Sequence, residues 1–345
     1  MNYIGSKKTI LNFIEESIFD FIETKDNMIF CDIFAGTGIV GNRFKELSFN
    51  VIANDIQYYS YILNKHFIAN NKNIKFRRLK NDEGITNVFA YLNSLNDYKG
   101  FIYNNYTLHG TRNNEFQRNY FTEENAIKID SIRKKIEFWY ENKKIMKKEY
   151  YYLLSCLIEA SDKVANTASV YEAFLKERKT SALKGIEMIP LSVLINSKTK
   201  NKVYNIDCNK LIYKISGDIL YMDPPYNARK YNTNYHILET IAMGDSPVIK
   251  GKTGIRYDEK KTSKYNKKNE ASQALEDIIK NAKFKYIFLS YNNEGIIDIR
   301  DIEKIMKKYG KYKRYEKNHR RYKADNTREY LTDSTIEYLH CLEKK

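Results

Sequence analysis

Cysteine is scarce: Cys31, Cys156, Cys208 and Cys341 are the only four in 345 residues, scattered, with no CxxC pair and no histidine at zinc-ligand spacing. That excludes a disulfide framework and a cysteine-based zinc site, and the four read as buried free thiols. Proline occurs four times and builds no Pro/Ser-rich linker, and there is no internal repeat. The N-terminal stretch MNYIGSKKTILNFIEESIFDF breaks its apolar residues with Glu15, Glu16 and Asp20 at helical spacing, unlike a signal peptide or a membrane span. A reducing cytoplasm and no membrane partner are expected. Acidic residues are the minority, 43 against 59 Lys+Arg, and the net charge of +16 favours an acidic polymer, nucleic acid first. Charge alone does not decide this, because AT-rich coding also enriches Lys, Asn, Ile and Tyr.

What is present suits a globular chain: 42% of residues are hydrophobic and 30% charged. Apolar positions recur at helical spacing from about Lys7 to Glu23. MIFCDIF (28–34) reads as a strand that stops at Ala35-Gly36-Thr37-Gly38, VGNRFKEL as a helix, VIAND (51–55) as a strand and YYSYILNKHFIANN as a helix. Strand, glycine turn, helix, strand, helix is the grammar of a parallel sheet. From about Phe76 to Lys202 the rhythm lapses into polar, aromatic and basic segments, with helices at about Glu123–Tyr140 and Tyr150–Ala160. It returns with KVYNID, DILYMD, a helix after Tyr235, a helix near Gln273–Asn281, KYIFLS and a helix at about Ile299–Lys308. KYKRYEKN and STIEYLHCLE suggest a final hairpin whose last strand inserts antiparallel. The loop Lys250–Asn269 reads as mobile or ordered by a partner.

In open parallel sheets, ligands bind beyond the carboxyl ends of the strands. DIFAGTG (32–38) ends one strand with glycines that permit close backbone approach, and Asp55 ends the next, where a carboxylate can accept ribose hydroxyls. The loop departs from GxGxxG and lacks the GK[ST] of a P-loop, so dinucleotides and triphosphates are poorly matched. An acid opening the loop, Asp32, suits a cofactor bearing an ammonium group.

A second strand end carries Asp223-Pro224-Pro225-Tyr226. The two prolines fix the backbone, so that Asp223 and the Pro224 carbonyl can accept both protons of an exocyclic amine, while Tyr226 offers a ring face for stacking. These are the needs of amino-group methylation on a base, and orientation supplies the catalysis.

Together NYIGSK (2–7), DIFAGTG with Asp55, YNIDCNKL and DPPY resemble motifs X, I, II, III and IV of Dam-related adenine-specific DNA methyltransferases, in the alpha order. The resemblance implies a Rossmann-like S-adenosylmethionine-dependent α/β fold: a mostly parallel twisted sheet with an antiparallel C-terminal strand. It also implies an inserted, mainly helical DNA-recognition domain at 81–199 between catalytic segments 1–80 and 200–345. S-adenosyl-L-methionine is the implied cofactor. Tyr3 and Lys7 would contact it, with Lys7 on its methionine carboxylate. Asp32, Phe34, Gly36 and Gly38 would form its loop, Asp55 would take the ribose, Ile56 would pack on the adenine, and Asp207 would approach the adenine amino group. Asp207 also reads as a strand-end cap. Asp223, with Pro224, Pro225 and Tyr226, would serve both catalysis and the cofactor, with no metal and no covalent intermediate.

A target adenine inside duplex DNA must be flipped out to react, so a clamping module is needed. Arg112, Arg118, Arg133, Lys163, Arg178 and Lys179 are the candidate phosphate or base contacts, although a charge on a helix is usually solvated surface. KYKRYEKNHRRYK (311–323) is a further basic stretch, and SYNNEG (290–295) ends a strand that can line the target pocket. The expected partner is double-stranded DNA. The resemblance adds a cognate restriction endonuclease acting on the same site without stable association. The alternatives are RNA adenine methylation and a non-catalytic DNA-binding protein that keeps the fold.

Overall fold

The computed structural model describes residues 5–196, 198–226, 231–257, 263–320 and 334–345. They pack as two compact units, a sheet unit of Gly5–Ala69, Asn196–Tyr231 and Lys260–Lys345 and a helical unit of Asn70–Ile195 and Asn232–Glu259.

Among the described residues seven strands make the sheet: β1 (Ile29–Asp32), β2 (Asn50–Asn54), β3 (Lys202–Tyr204), β4 (Ser216–Met222), β5 (Lys283–Asn292), β6 (Gly310–Arg320) and β7 (Ser334–Lys344). Their order is β3-β2-β1-β4-β5-β7-β6. The first five run parallel, as the apolar runs separated by helices require. β7 lies antiparallel between β5 and β6, pairing Asn292 with Glu337 and Lys317 with Glu337. The hairpin expected at the end of the chain is therefore inserted as its alternation implied.

Strand periodicity sorts the core onto two faces. Phe30, Ile219 and Phe288 pack with Ile14, Ile18 and Phe44. Cys31, Leu220 and Ile287 pack with Leu275, Ile278 and Met306. Phe30 stacks on Phe44 at 3.7 Å between centroids, and truncating such a buried ring to alanine costs about 3–5 kcal/mol. The first helix is split into a 3-10 turn, Lys7–Ile10, and an α-helix, Leu11–Phe21. Ser6 caps the turn by accepting the Lys8 amide.

The helical unit is built on the helices Glu123–Glu141 and Lys147–Val164. Its boundaries differ from those expected: it begins at Asn70 and takes in Asn232–Glu259. The helix His236–Met243 buries Ile237, Leu238 and Ile241, and His236 Nε2 lies 2.9 Å from the Tyr171 carbonyl. The described start of the 250–269 loop is an ordered ribbon, Ile249–Lys250 against Ile255–Arg256. Its turn is tied down by Arg118, which donates to the Gly251 and Lys252 carbonyls, and by the hydroxyls of Tyr106 on Gly254 and Tyr120 on Thr253. Residues 258–262 of that loop lie outside the described residues. No helix among the described residues is long and apolar enough to cross a membrane.

Candidate active site

Three strands of the sheet unit end on chemistry-bearing loops. β1 ends at Asp32, and the backbone then turns tightly: Ile33 N–H donates to the Tyr221 carbonyl, Ala35 N–H to Asn54 and Gly38 N–H to Ala35. Gly38 has φ +82° at the start of the helix Ile39–Glu46, and a Cβ there would lie 2.6 Å from Asn64 Oδ1. A side chain is therefore excluded on both conformational and steric grounds. Asn64 holds the loop further by donating to the Gly36 carbonyl at 2.9 Å. Asp32 is 2% exposed and accepts from the Gly41 and Phe34 amides, while its Oδ1 has no hydrogen-bond partner. Burial, then the charges of Asp223 and Asp55, hold its carboxyl well above the usual range.

β2 delivers Asp55, half-buried, whose Oδ2 accepts the Gly36 amide at 2.9 Å and whose Oδ1 accepts the Gln57 amide at 2.8 Å. Ile56 beside it is half-buried, as is Phe34, whose ring meets Tyr265 edge-on at 5.0 Å. Asp207 caps the short helix Cys208–Leu211 by accepting the Lys210 amide at 3.2 Å.

β4 delivers Asp223-Pro224-Pro225-Tyr226. Lys7, 6% exposed, sets its Nζ 3.0 Å from Asp223 Oδ1 and 3.9 Å from Glu337 Oε2. The ammonium thus rests on the acid of the second motif, an arrangement that neither motif discloses alone. Burial opposes the Lys7 charge, but Asp223 and Glu337 outweigh it and hold its pKa well above the ordinary value. Burial pushes the Asp223 carboxyl up to about 6, Lys7 pulls against this, and Glu337 adds to the rise. Tyr226 lies with its ring centroid 5.5 Å from Lys7 Nζ and edge-on to Tyr291 at 6.1 Å, and its carbonyl accepts the Ile296 amide. The SYNNEG turn therefore buttresses the proline bend.

Glu337 was not singled out in the sequence, although a signal existed. It falls in phase with Leu339 and Cys341 on β7, an acid at a position whose strand neighbours are core residues. Tyr3, expected beside Lys7, lies outside the described residues. Among the described residues no group of three or more His, Cys, Asp or Glu side chains is arranged to hold a metal ion.

Within the helical unit, the six basic candidates divide by what their side chains do. Arg118 is 7% exposed and spends its guanidinium on the carbonyls of Lys252, Asn105 and Gly251. Arg133, also 7% exposed, donates to the Ile241 and Ala242 carbonyls and to Glu137. Arg178 binds Asn119 Oδ1 and Glu123, and Lys179 donates to the Thr167 carbonyl. Arg112 and Lys163 are exposed. In the sheet unit, the basic stretch 311–323 forms β6 up to Arg320, with Lys313 paired to Asp20 at 2.8 Å; residues 321–323 lie outside the described residues.

A glycine loop bonded to the acid of the next strand, with Asp-Pro-Pro-Tyr at a neighbouring strand end, is the motif set that resembles that of methyltransferases of amino groups on bases. The chain matches the family of D12 class N6 adenine-specific DNA methyltransferases over residues 3–305, and it belongs to that family. It is 46% identical to the Type II methyltransferase M.NlaIII of Neisseria lactamica, over 100% of this chain and 99% of that protein. It is 39% identical to the Type II methyltransferase M.FokI of Planomicrobium okeanokoites, over 100% of this chain but only 53% of that larger protein. The Type II methyltransferase M.CviAII of Paramecium bursaria Chlorella virus 1 is 32% identical, over 98% and 99% of the two chains. The protein is thus an adenine-specific DNA methyltransferase, with DNA as substrate and a methyl donor as cosubstrate. Family membership selects DNA over RNA and an enzyme over a pure binder.

Proposed function

We propose that the protein methylates N6 of a flipped adenine at one specific duplex sequence, using S-adenosyl-L-methionine, as the modification partner of a restriction endonuclease acting on the same site. The observation that carries this reading is the convergence of Asp223 and Glu337 on the ammonium of Lys7, with the buried Asp32 within electrostatic reach of Asp223. This cluster of buried carboxyl groups, with Asp32 Oδ1 lacking a hydrogen-bond partner, fits a ligand bearing positive charge. The cofactor brings such charge and, when bound, supplies an electrophilic methyl group.

The chain's own residues do the rest. The Gly36–Gly38 loop and Asp55 hold the nucleoside end, with Phe34 and Ile56 beside it. Asp223 and the Pro224 carbonyl accept the two protons of the adenine amine, which turns the nitrogen lone pair toward the methyl group. Tyr226 stacks on the base. Asp223 stabilises the positive charge that develops on the amine, and the proton then leaves to solvent. The endonuclease partner is supported by the names of the relatives, which are Type II methyltransferases.

Sequencing of N6-methyladenine in DNA from cells expressing the gene tests this. One recurrent methylated sequence, protected from an endonuclease that cleaves it, is the expected result; methylation spread over unrelated sequences overturns it.

A further inference from the structure

Glu337 is 6% exposed, projects from β7 on the face of Leu339 and Cys341, and has no hydrogen-bond partner for Oε2. A buried carboxylate left so is costly unless a cation serves it. The ammonium nearest to it is Lys7, 3.9 Å away, now drawn to Asp223 Oδ1 at 3.0 Å. Around this pair stand Tyr221 and Tyr226 from β4 and its turn, while Asp32 from β1 lies within electrostatic reach of Asp223 and Glu294 after β5 within that of Tyr226. Asn292 on β5 and the exposed Lys317 on β6 lie opposite Glu337 in register.

Asp223 cannot give Oδ1 fully to an incoming amine while an ammonium occupies it. We propose that Glu337 is a positioning residue that takes Lys7 over from Asp223 when the adenine amine arrives, so that Asp223 Oδ1 becomes free to accept the amine. The inference rests on the reading of Asp223 as the amine acceptor. No covalent bond forms or breaks in the exchange: Lys7 keeps its proton and changes its partner, so the charge of the site is unchanged. Lysine suits the task as a compact charge on a flexible stem with three donors. Two carboxylates, at 3.0 Å and 3.9 Å, give the ammonium two resting places within a short reach.

The test is single-turnover methylation of hypomethylated duplex DNA across the acid range by the full chain, its Glu337→Gln variant and its Glu337→Asp variant, with cofactor affinity measured on each. In Glu337→Gln the methylation rate is expected to fall at least about tenfold. Its acid limb is expected to move to lower pH, because Asp223 loses the neighbouring anion that raises it. Cofactor affinity should stay within about threefold. Glu337→Asp keeps the charge and should keep the limb where the parent has it, at a reduced rate. A Glu337→Gln enzyme with parental rate and limb overturns the proposal, as does a rate loss with an unmoved limb. If Glu337→Gln does not fold, Glu337→Asp decides, and a parental rate in it is contradictory. If the unaltered enzyme leaves adenine in DNA unmethylated, the underlying reading of Asp223 fails instead.

Discussion

The carboxylate of Asp55 accepts the amide of Gly36 at 2.9 Å, tying the end of β2 to the glycine loop that follows β1. One residue therefore shapes the loop as well as standing at the end of its strand. Asp55→Ala should weaken S-adenosylmethionine binding at least about tenfold, through a lost ribose acceptor and a loosened loop. DNA affinity should hardly change. Calorimetry with the cofactor and a separate DNA-binding titration check this, and unchanged cofactor affinity would move the ribose site elsewhere.

In the proposed role Asp223 must be ionised to accept the amine, and its carboxyl is pushed up to about 6. The folded protein keeps this acid protonated further up the pH scale than a free aspartate, so the methylation rate should rise as pH climbs through about 6 and then level off. Asp223→Asn keeps the shape and removes the titration. It should lose about 100-fold or more in rate and also lose this limb, measured by single-turnover pH profiles.

Arg118 and Arg133 act as internal staples, and their loss should appear in folding. Arg118→Ala strands the carbonyls of Gly251, Lys252 and Asn105 and should cost about 2–3 kcal/mol of stability. Replacing the exposed Arg112 and Lys163 with alanine should leave the melting temperature unchanged. Any loss of DNA affinity in those two variants should come with a shallower salt dependence. Thermal melts and salt-titrated DNA binding separate the two classes.

His236 is buried and neutral, pushed down to about 4 by burial, with the neighbouring Arg118 and Arg256 adding to the effect. The unfolded chain binds this proton near the ordinary histidine value, so its contribution to stability is present above that value and is lost as pH falls toward about 4. His236→Gln retains a donor for the Tyr171 carbonyl without the titrating ring. The fall in melting temperature from about pH 7 to about pH 5 should be smaller in this variant than in the parent.

Much of the sheet was readable because buried parallel strands are short apolar runs between helical patterns: IFCD, NVIAN and SGDILYM fall where MIFCDIF, VIAND and DILYMD were read. Both motif loops were readable because glycine and proline leave few backbone choices. What stayed hidden depends on burial and on distant partners. Arg118 and Arg133 read as possible DNA contacts because a basic residue does not announce that its charge will be spent on carbonyls over 100 positions away. The helix after Tyr235 was read with the returning α/β rhythm, and its contacts, those with Tyr171 and Arg133 among them, assign it to the helical unit. Glu337 looked like the polar member of an alternating strand, and the ion pair of Lys7 with Asp223 spans 216 positions of chain between two motifs read apart.

The most direct test of the site is transfer of labelled methyl from S-adenosylmethionine to hypomethylated duplex DNA by the unaltered enzyme and by Asp223→Ala, followed by nucleoside analysis. The expected result is label in N6-methyladenine with the unaltered enzyme, and none above background with Asp223→Ala although that variant still binds the cofactor. Near-normal N6-methyladenine from Asp223→Ala would contradict the assignment of Asp223 as the residue that orients the amine.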